Sequence, residues 1–140
     1  SIDSLKKFKG VKRRMDLVAD VSNIKVFDDF AHHPTAIKMS SNAIKDKHPT
    51  KKILGIVELG SNTMSSGYHK DNLIESLKIL DKTLLLDHNN AYDYLNGFDS
   101  EEKMLDCIRA EILEYDIILI MTNKDSQKFI KPILDSLENK

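Results

Sequence analysis

The sequence predicts an α/β fold, a Rossmann-like three-layer sandwich whose mostly parallel sheet begins with an antiparallel hairpin at one edge. Three observations lead there. Two short extended runs flank Asp20-Val21-Ser22-Asn23, a turn-like composition, which makes a hairpin. Two continuous apolar runs, Ile53-Leu54-Gly55-Ile56-Val57 and Ile117-Ile118-Leu119-Ile120-Met121, have the character of strands buried on both faces, as parallel strands are. Strand-like and helix-like segments then alternate to the end of the chain, the pattern of βαβ units.

The elements follow in order. Arg14 to Ala19 and Ile24 to Phe27 form the hairpin, the second run alternating as a half-buried strand does. Pro34 suits a first helical turn, because its missing N–H has no intrahelical partner there in any case. The helix Thr35 to Lys47 presents Ala36, Ile37, Ala43 and Ile44 as its apolar face and ends before Pro49. Strand 53–57 is followed by a polar loop from Glu58 to Gly67, then a helix through Leu73, Leu77 and Leu80. Thr83 to Leu86 is the next strand, and a loop with Asn89-Asn90 and Asn96-Gly97 leads to a helix from Glu101 to Leu113. Its apolar side is Met104, Leu105, Ile108 and Ile112. The last strand is 117–121 and the closing helix Gln127 to Leu137.

At 140 residues the chain is one domain in size, large enough to bury roughly 68–70% of its unfolded surface without a metal or disulfide staple. A net charge of −1 gives no overall footprint for nucleic acid or a membrane surface. The single cysteine, Cys107, cannot close an internal disulfide and fits a reducing, cytoplasmic compartment. There is no apolar run of the ~18 residues a membrane helix needs. The chain opens on Ser1 and a lysine-rich stretch, which suggests the continuation of a longer protein: residues 1–12 as a linker from a preceding domain, 13–140 as the domain itself.

The polar residues collect at the predicted strand ends. Asp28 and Asp29 close one strand, Glu58 the next with Ser61-Asn62-Thr63 beyond, then Asp87-His88, and Thr122-Asn123-Lys124 after the last. In a parallel sheet all four ends open on one edge, the place where ligands bind in open α/β folds. The stretch Asp28-Asp29-Phe30-Ala31-His32-His33-Pro34 lies between a strand and a helix, and a helix start offers unpaired N–H groups to an anion. Asp28 has a competing role as a structural acid, and either histidine as a helix cap. Asp29 is the better ligand contact, since a carboxylate there can accept two ribose hydroxyls. Arg13 or Arg14 can donate to a phosphate. Cys107 reads as a small buried hydrophobe rather than a nucleophile, and no zinc-type ligand spacing appears.

None of the five glycines belongs to a G-x-x-x-x-G-K-[ST] or G-x-G-x-x-G pattern. The chain can therefore hold one side of a nucleotide without cradling its triphosphate.

Three segments carry a family resemblance. Phe8-x-Gly10-x-Lys12-Arg13-Arg14-Met15, the Asp28 to Ile37 stretch, and Glu58-x-x-Ser61-Asn62-Thr63-Met64 resemble the carboxyl-terminal domain of the Mur ligases. The aspartate–histidine stretch resembles the muramate-accepting branch, and Ser61 to Met64 its tripeptide-adding members. The resemblance implies the third domain of an ATP-dependent amide ligase of peptidoglycan recycling, inactive when isolated. The missing central domain would hold most of the ATP and Mg2+, and the missing amino-terminal domain UDP-N-acetylmuramate. ATP would phosphorylate the muramoyl carboxylate, and the amine of L-alanyl-γ-D-glutamyl-meso-diaminopimelate would attack the resulting acyl phosphate, releasing phosphate and forming the amide. On this chain Arg14 and Asp29 would contact the nucleotide, His32 and His33 would line the junction with the amine, and Ser61 and Asn62 would receive the tripeptide. No metal ligand is assigned here.

Two places depart from the family pattern. Leu59-Gly60 stands where Pro-Arg is typical, so that arginine has no side-chain counterpart. Thr122 to Ser126 replaces a glycine-rich turn. A second reading, a phosphoacceptor receiver module, is imitated by Asp28, Asp29, Asp87, Thr122 and Lys124.

Overall fold

In the computed structural model, which describes residues 15–31, 34–58, 70–86, 97–122 and 124–138, one sheet of five strands has the order β1-β2-β5-β3-β4. The strands are β1 (Asp16–Val21), β2 (Ile24–Asp29), β3 (Ile53–Glu58), β4 (Lys82–Leu86) and β5 (Ile117–Met121). The helices are α1 (Pro34–Lys47), α2 (Lys70–Leu77), α3 (Glu101–Glu111) and α4 (Gln127–Glu138). β1 and β2 are antiparallel, and β2, β5, β3 and β4 are mutually parallel. The hairpin edge and the four-strand parallel sheet are those expected from the sequence.

The hairpin turn is narrower than the composition suggests. Only Ser22 and Asn23 lie between the strands, both at positive φ (55° and 67°). Two consecutive residues of that conformation make the turn whose twist matches the flanking strands. Ser22 also donates from Oγ to the Leu137 carbonyl at 3.4 Å, joining the turn to the end of α4.

Alternation along the strands divides the core in two. Ile24, Val26, Leu54, Ile56, Leu84, Leu86, Ile118 and Ile120 face α3 and α4, where Met104, Ile108, Phe129, Ile130, Ile133 and Leu137 meet them. Ile53, Val57, Leu85, Ile117, Leu119 and Met121 face the other way, onto Ile37, Ile44 and Leu80. β3 and β5 are buried along their whole length, which accounts for their uninterrupted apolar sequence. Each such aliphatic side chain contributes ~1.5–3 kcal/mol on burial.

The helices differ in detail from the sequence pattern. On α1 the buried stripe is Pro34, Ile37, Ser41 and Ile44, and Ala43 is exposed. α2 ends at Leu77, so Leu80 is buried from the turn beyond it rather than from the helix. Ser100 caps α3, its Oγ accepting the Lys103 N–H at 3.3 Å. The last residues of that predicted helix tighten into a 3-10 turn, Ile112–Glu114. No helix among the described residues is long and apolar enough to cross a membrane.

The amino edge of the sheet is fixed by acids bonded to backbone. Asp81 accepts the Ile53 N–H at 2.7 Å and pairs with Lys45 at 3.3 Å. Asp116 accepts the Lys52 N–H at 2.9 Å. These contacts set where β3 begins, leaving the opposite edge to carry the site.

Candidate functional site

β2 leads into α1 on one side of the sheet, whereas its neighbour β5 leads into α4 on the other. Loops departing in opposite directions from adjacent parallel strands leave a crevice at the carboxyl ends between them, the switch point of an open α/β sheet. Asp28 and Asp29 lie level with Ile120 and Met121 of β5 at this point. Val57 also pairs with Met121, which brings Glu58 beside Thr122.

The two acids are the last two residues of β2, which runs two residues past the expected Ile24 to Phe27, and they are 6% and 5% exposed. Alternation therefore sends them to opposite faces. Asp28 follows Val26 onto the α3–α4 side, where its Oδ2 accepts the Ser126 hydroxyl at 2.9 Å. Asp29 follows Phe27 onto the α1 side. Its Oδ1 accepts the Ala31 N–H at 3.1 Å and its Oδ2 the Ser40 hydroxyl at 2.5 Å. The bond to a residue two positions ahead closes the turn that leads toward residue 34, and Ser40 ties that turn to α1. The Asp29 carbonyl also accepts the Thr122 N–H at 3.1 Å, continuing the ladder one residue past β5. Asp29 thus has a structural task, and this uses two of roughly four acceptor sites of a carboxylate.

Glu58, 1% exposed, lies on the same face as Asp28. Its Oε1 accepts the Thr122 hydroxyl at 3.0 Å, and its Oε2 takes the Lys128 ammonium at 2.6 Å. Thr122 Oγ1 in turn accepts the Lys124 N–H at 3.0 Å. Neither Ser40, Ser126 nor Lys128 was legible as a site residue. They stand 11, 98 and 70 residues from the acids they hold, and only Ser40 follows its acid closely enough for local spacing to suggest it.

Of the sequence candidates, Asp29 falls within the described residues, and Arg14, His32, His33, Ser61 and Asn62 lie outside them, as do Asp87 and His88. His48 is half-buried, its ring 6.3 Å from that of Phe27. Cys107 packs half-buried against the α3–α4 core and donates to Glu111 Oε2 at 3.3 Å. Burial, reinforced by that carboxylate, pushes its thiol above the usual value, the opposite of what a nucleophile requires.

Among the described residues no three His, Cys, Asp or Glu side chains gather as metal ligands. For ATP the fit is partial. Asp29 is an acceptor of the kind a ribose requires, and the glycine-rich cradle for a triphosphate is missing from the sequence. The receiver reading fails on geometry: its acid pocket needs neighbouring carboxylates to converge, and Asp28 and Asp29 diverge across the sheet.

The comparisons with known proteins agree with this architecture. The model of the family described as Mur ligase, glutamate ligase domain, matches residues 13–125. A UDP-N-acetylmuramate–L-alanyl-γ-D-glutamyl-meso-2,6-diaminoheptandioate ligase of Haemophilus influenzae is 32% identical over 98% of the chain, which spans 33% of that protein. The enzyme of the same name from Escherichia coli is 40% identical over 60% of the chain, which spans 19% of it. Among solved structures, a murein peptide ligase from Psychrobacter arcticus superposes with TM-score 0.76 at 33% identity, over 92% of this chain and 30% of its own. A domain assigned to a ligase of the tripeptide-adding kind from Haemophilus ducreyi superposes with TM-score 0.71 at 27% identity, over 88% of this chain and 99% of its own.

Proposed function

Because this chain belongs to the Mur ligase family, as a glutamate ligase domain, we propose that it is the carboxyl-terminal domain of an ATP-dependent amide ligase. The ligase joins UDP-N-acetylmuramate to L-alanyl-γ-D-glutamyl-meso-diaminopimelate in peptidoglycan recycling. The observation that carries this reading is the 32% identity over nearly the whole chain to a tripeptide-adding ligase. The chain spans about a third of that relative. In this reading the activity belongs to a longer protein with central and amino-terminal domains.

In this reading the switch-point edge closes over ATP from one side. ATP supplies the phosphoryl group that activates the muramoyl carboxylate. Arg14 contributes a charge-assisted donor for phosphate, and the remaining acceptor capacity of Asp29 takes the ribose. His32 and His33 stand between nucleotide and amine. Ser61 and Asn62, beyond β3, receive the tripeptide. With the reacting groups held on separate domains, the contribution of this one is placement, which in oriented reactions is worth up to ~7–11 kcal/mol of the barrier.

The test compares two proteins. The full-length enzyme is expected to couple the tripeptide to UDP-N-acetylmuramate with ATP consumption. The 140-residue chain alone is expected neither to hydrolyse ATP nor to form product. Ligation or ATP hydrolysis by the isolated chain contradicts the half-site reading, and a full-length enzyme that prefers free L-alanine to the tripeptide contradicts the substrate assignment.

A further inference from the structure

We propose that Ser40 is a positioning residue for the nucleotide: it sets the plane of the Asp29 carboxylate so that each oxygen keeps an acceptor site for one hydroxyl of a ribose diol. This rests on the reading of Asp29 given above and deepens it. Asp29 is the last residue of β2, level with Met121 in the ladder, and its carbonyl accepts the Thr122 N–H at 3.1 Å. Those contacts fix its backbone but not its carboxyl group, whose torsion about the Cβ–Cγ bond is intrinsically broad. Two further bonds supply what the backbone does not. Oδ1 accepts the Ala31 N–H at 3.1 Å, and Oδ2 accepts the Ser40 hydroxyl at 2.5 Å. The first donor belongs to the turn itself, the second to the second turn of α1.

Ser40 is well placed to hold an orientation. Ile37 and Ile44 flank it along the helix at the intervals that share a side, and they are 0% and 1% exposed in the core. The hydroxyl is therefore carried by a helix that is packed down, and the carboxylate plane is tied to the core as well as to the turn. A hydroxyl has one hydrogen to donate. Here it goes to Asp29, not to the carbonyl one turn back that helical serines commonly take. Both of these donors are neutral, so they hold the carboxylate without cancelling its charge. A carboxylate offers about four acceptor sites, which leaves one on each oxygen. That suits a vicinal diol, which presents two O–H donors side by side, and acids beyond strand tips bond ribose in the nucleotide sites of open α/β sheets. With the Ala31 bond alone the group could turn about that one oxygen, and the paired acceptors would no longer meet the diol together.

The experiment uses the full-length ligase, with steady-state kinetics in ATP and in dideoxyATP, which lacks both ribose hydroxyls, and a thermal melt for each variant. DideoxyATP keeps the base and the phosphates but offers Asp29 no donor, so its KM does not register where that carboxylate points. The parent is expected to favour ATP. Ser40→Ala is expected to raise the KM for ATP about 5- to 30-fold and to leave that for dideoxyATP within about twofold, so the preference collapses. Ser40→Thr keeps a hydroxyl and is expected to restore it. A folded Ser40→Ala variant that retains the parent's preference overturns the inference. So does an equal rise in both KM values, which is what a purely structural role produces. Should the alanine variant fail to fold, Ser40→Cys, a weaker donor of similar size, carries the same test: the preference falls or the inference fails. A parent without a preference for ATP removes the ribose role of Asp29, and this inference with it. A parent that prefers ATP, with variants that prefer it equally, defeats this inference alone.

Discussion

Gly55 lies at the centre of β3, on the face that looks toward α1, and a methyl group there has nowhere to go. A Cβ built on Gly55 would stand 2.6 Å from Leu80 Cδ1 and 3.3 Å from Thr83 Oγ1. Thr83 cannot readily yield, because its hydroxyl donates to the Leu77 carbonyl at 3.0 Å. Leu80 has a flexible end, but it is 5% exposed and packed among Ile37, Ile53, Val57 and Leu85. Relief therefore demands a rotamer change inside a filled core, the kind of overpacking that costs about 1–3 kcal/mol. Alanine also restricts the unfolded chain, which offsets about 0.4–1 kcal/mol. Gly55→Ala should thus destabilise the chain by about 0.5–2 kcal/mol, read as a lower midpoint at unchanged slope in urea unfolding. Leu80→Val shortens the offending side chain, so the two substitutions should couple, with an interaction of at least about 0.5 kcal/mol in a double-mutant cycle. An alanine variant as stable as the parent, or strictly additive effects, would refute the claim that glycine is required there by packing.

Three further outcomes follow from the geometry. Ser40→Ala removes the hydroxyl from Asp29 Oδ2, a bond to a charged acceptor worth ~1.5–3 kcal/mol, and should lower Tm while raising the KM for ATP in the full-length enzyme. Ser100→Ala deletes the cap of α3 and should cost about 0.5–2 kcal/mol in chemical denaturation, with Ser100→Asp near neutral. Burial acts to raise the Asp81 carboxyl, but the Ile53 N–H and Lys45 outweigh it and hold it below its ordinary value. A carboxyl lowered on folding stabilises above its unfolded pKa of ~3.9 and loses that contribution as pH falls through the folded value. Denaturation of the parent below about pH 4 should therefore be steeper than that of Asp81→Asn, by a modest amount because the side chain is one-third exposed.

The sheet was legible because its strands differ so plainly from everything around them. Runs 53–57 and 117–121 are buried on both faces and have no polar residue to confuse the reading. The ends were harder. Asp28 and Asp29 lie beyond the expected strand 24–27 and Glu58 opens an expected loop, yet the ladder continues through all three because Ile120 and Met121 still offer partners to the two aspartates and Leu86 to Glu58. A charged residue can end a buried strand when something distant satisfies it, and here that is Ser126, Thr122 and Lys128, at separations of 98, 64 and 70 residues. Such partners have no signature in local spacing. The apolar stripe of α2 misled in a related way: Leu80 keeps the helical interval from Leu77, but the helix has already ended and the side chain is buried from the turn.

The division of the acids between two faces bears on how the edge works. Asp29 is tied through Ala31 and Ser40 to the β2–α1 connection, which carries His32 and His33. Asp28, Glu58 and Thr122 are tied through Ser126, Lys128 and Lys124 to the connection into α4. In these bonds the two sets share no side-chain partner, and the bond from the Thr122 N–H to the Asp29 carbonyl joins them through the ladder. Displacement of one connection need not pass to the other, because side chains in contact couple strongly and independent ones add.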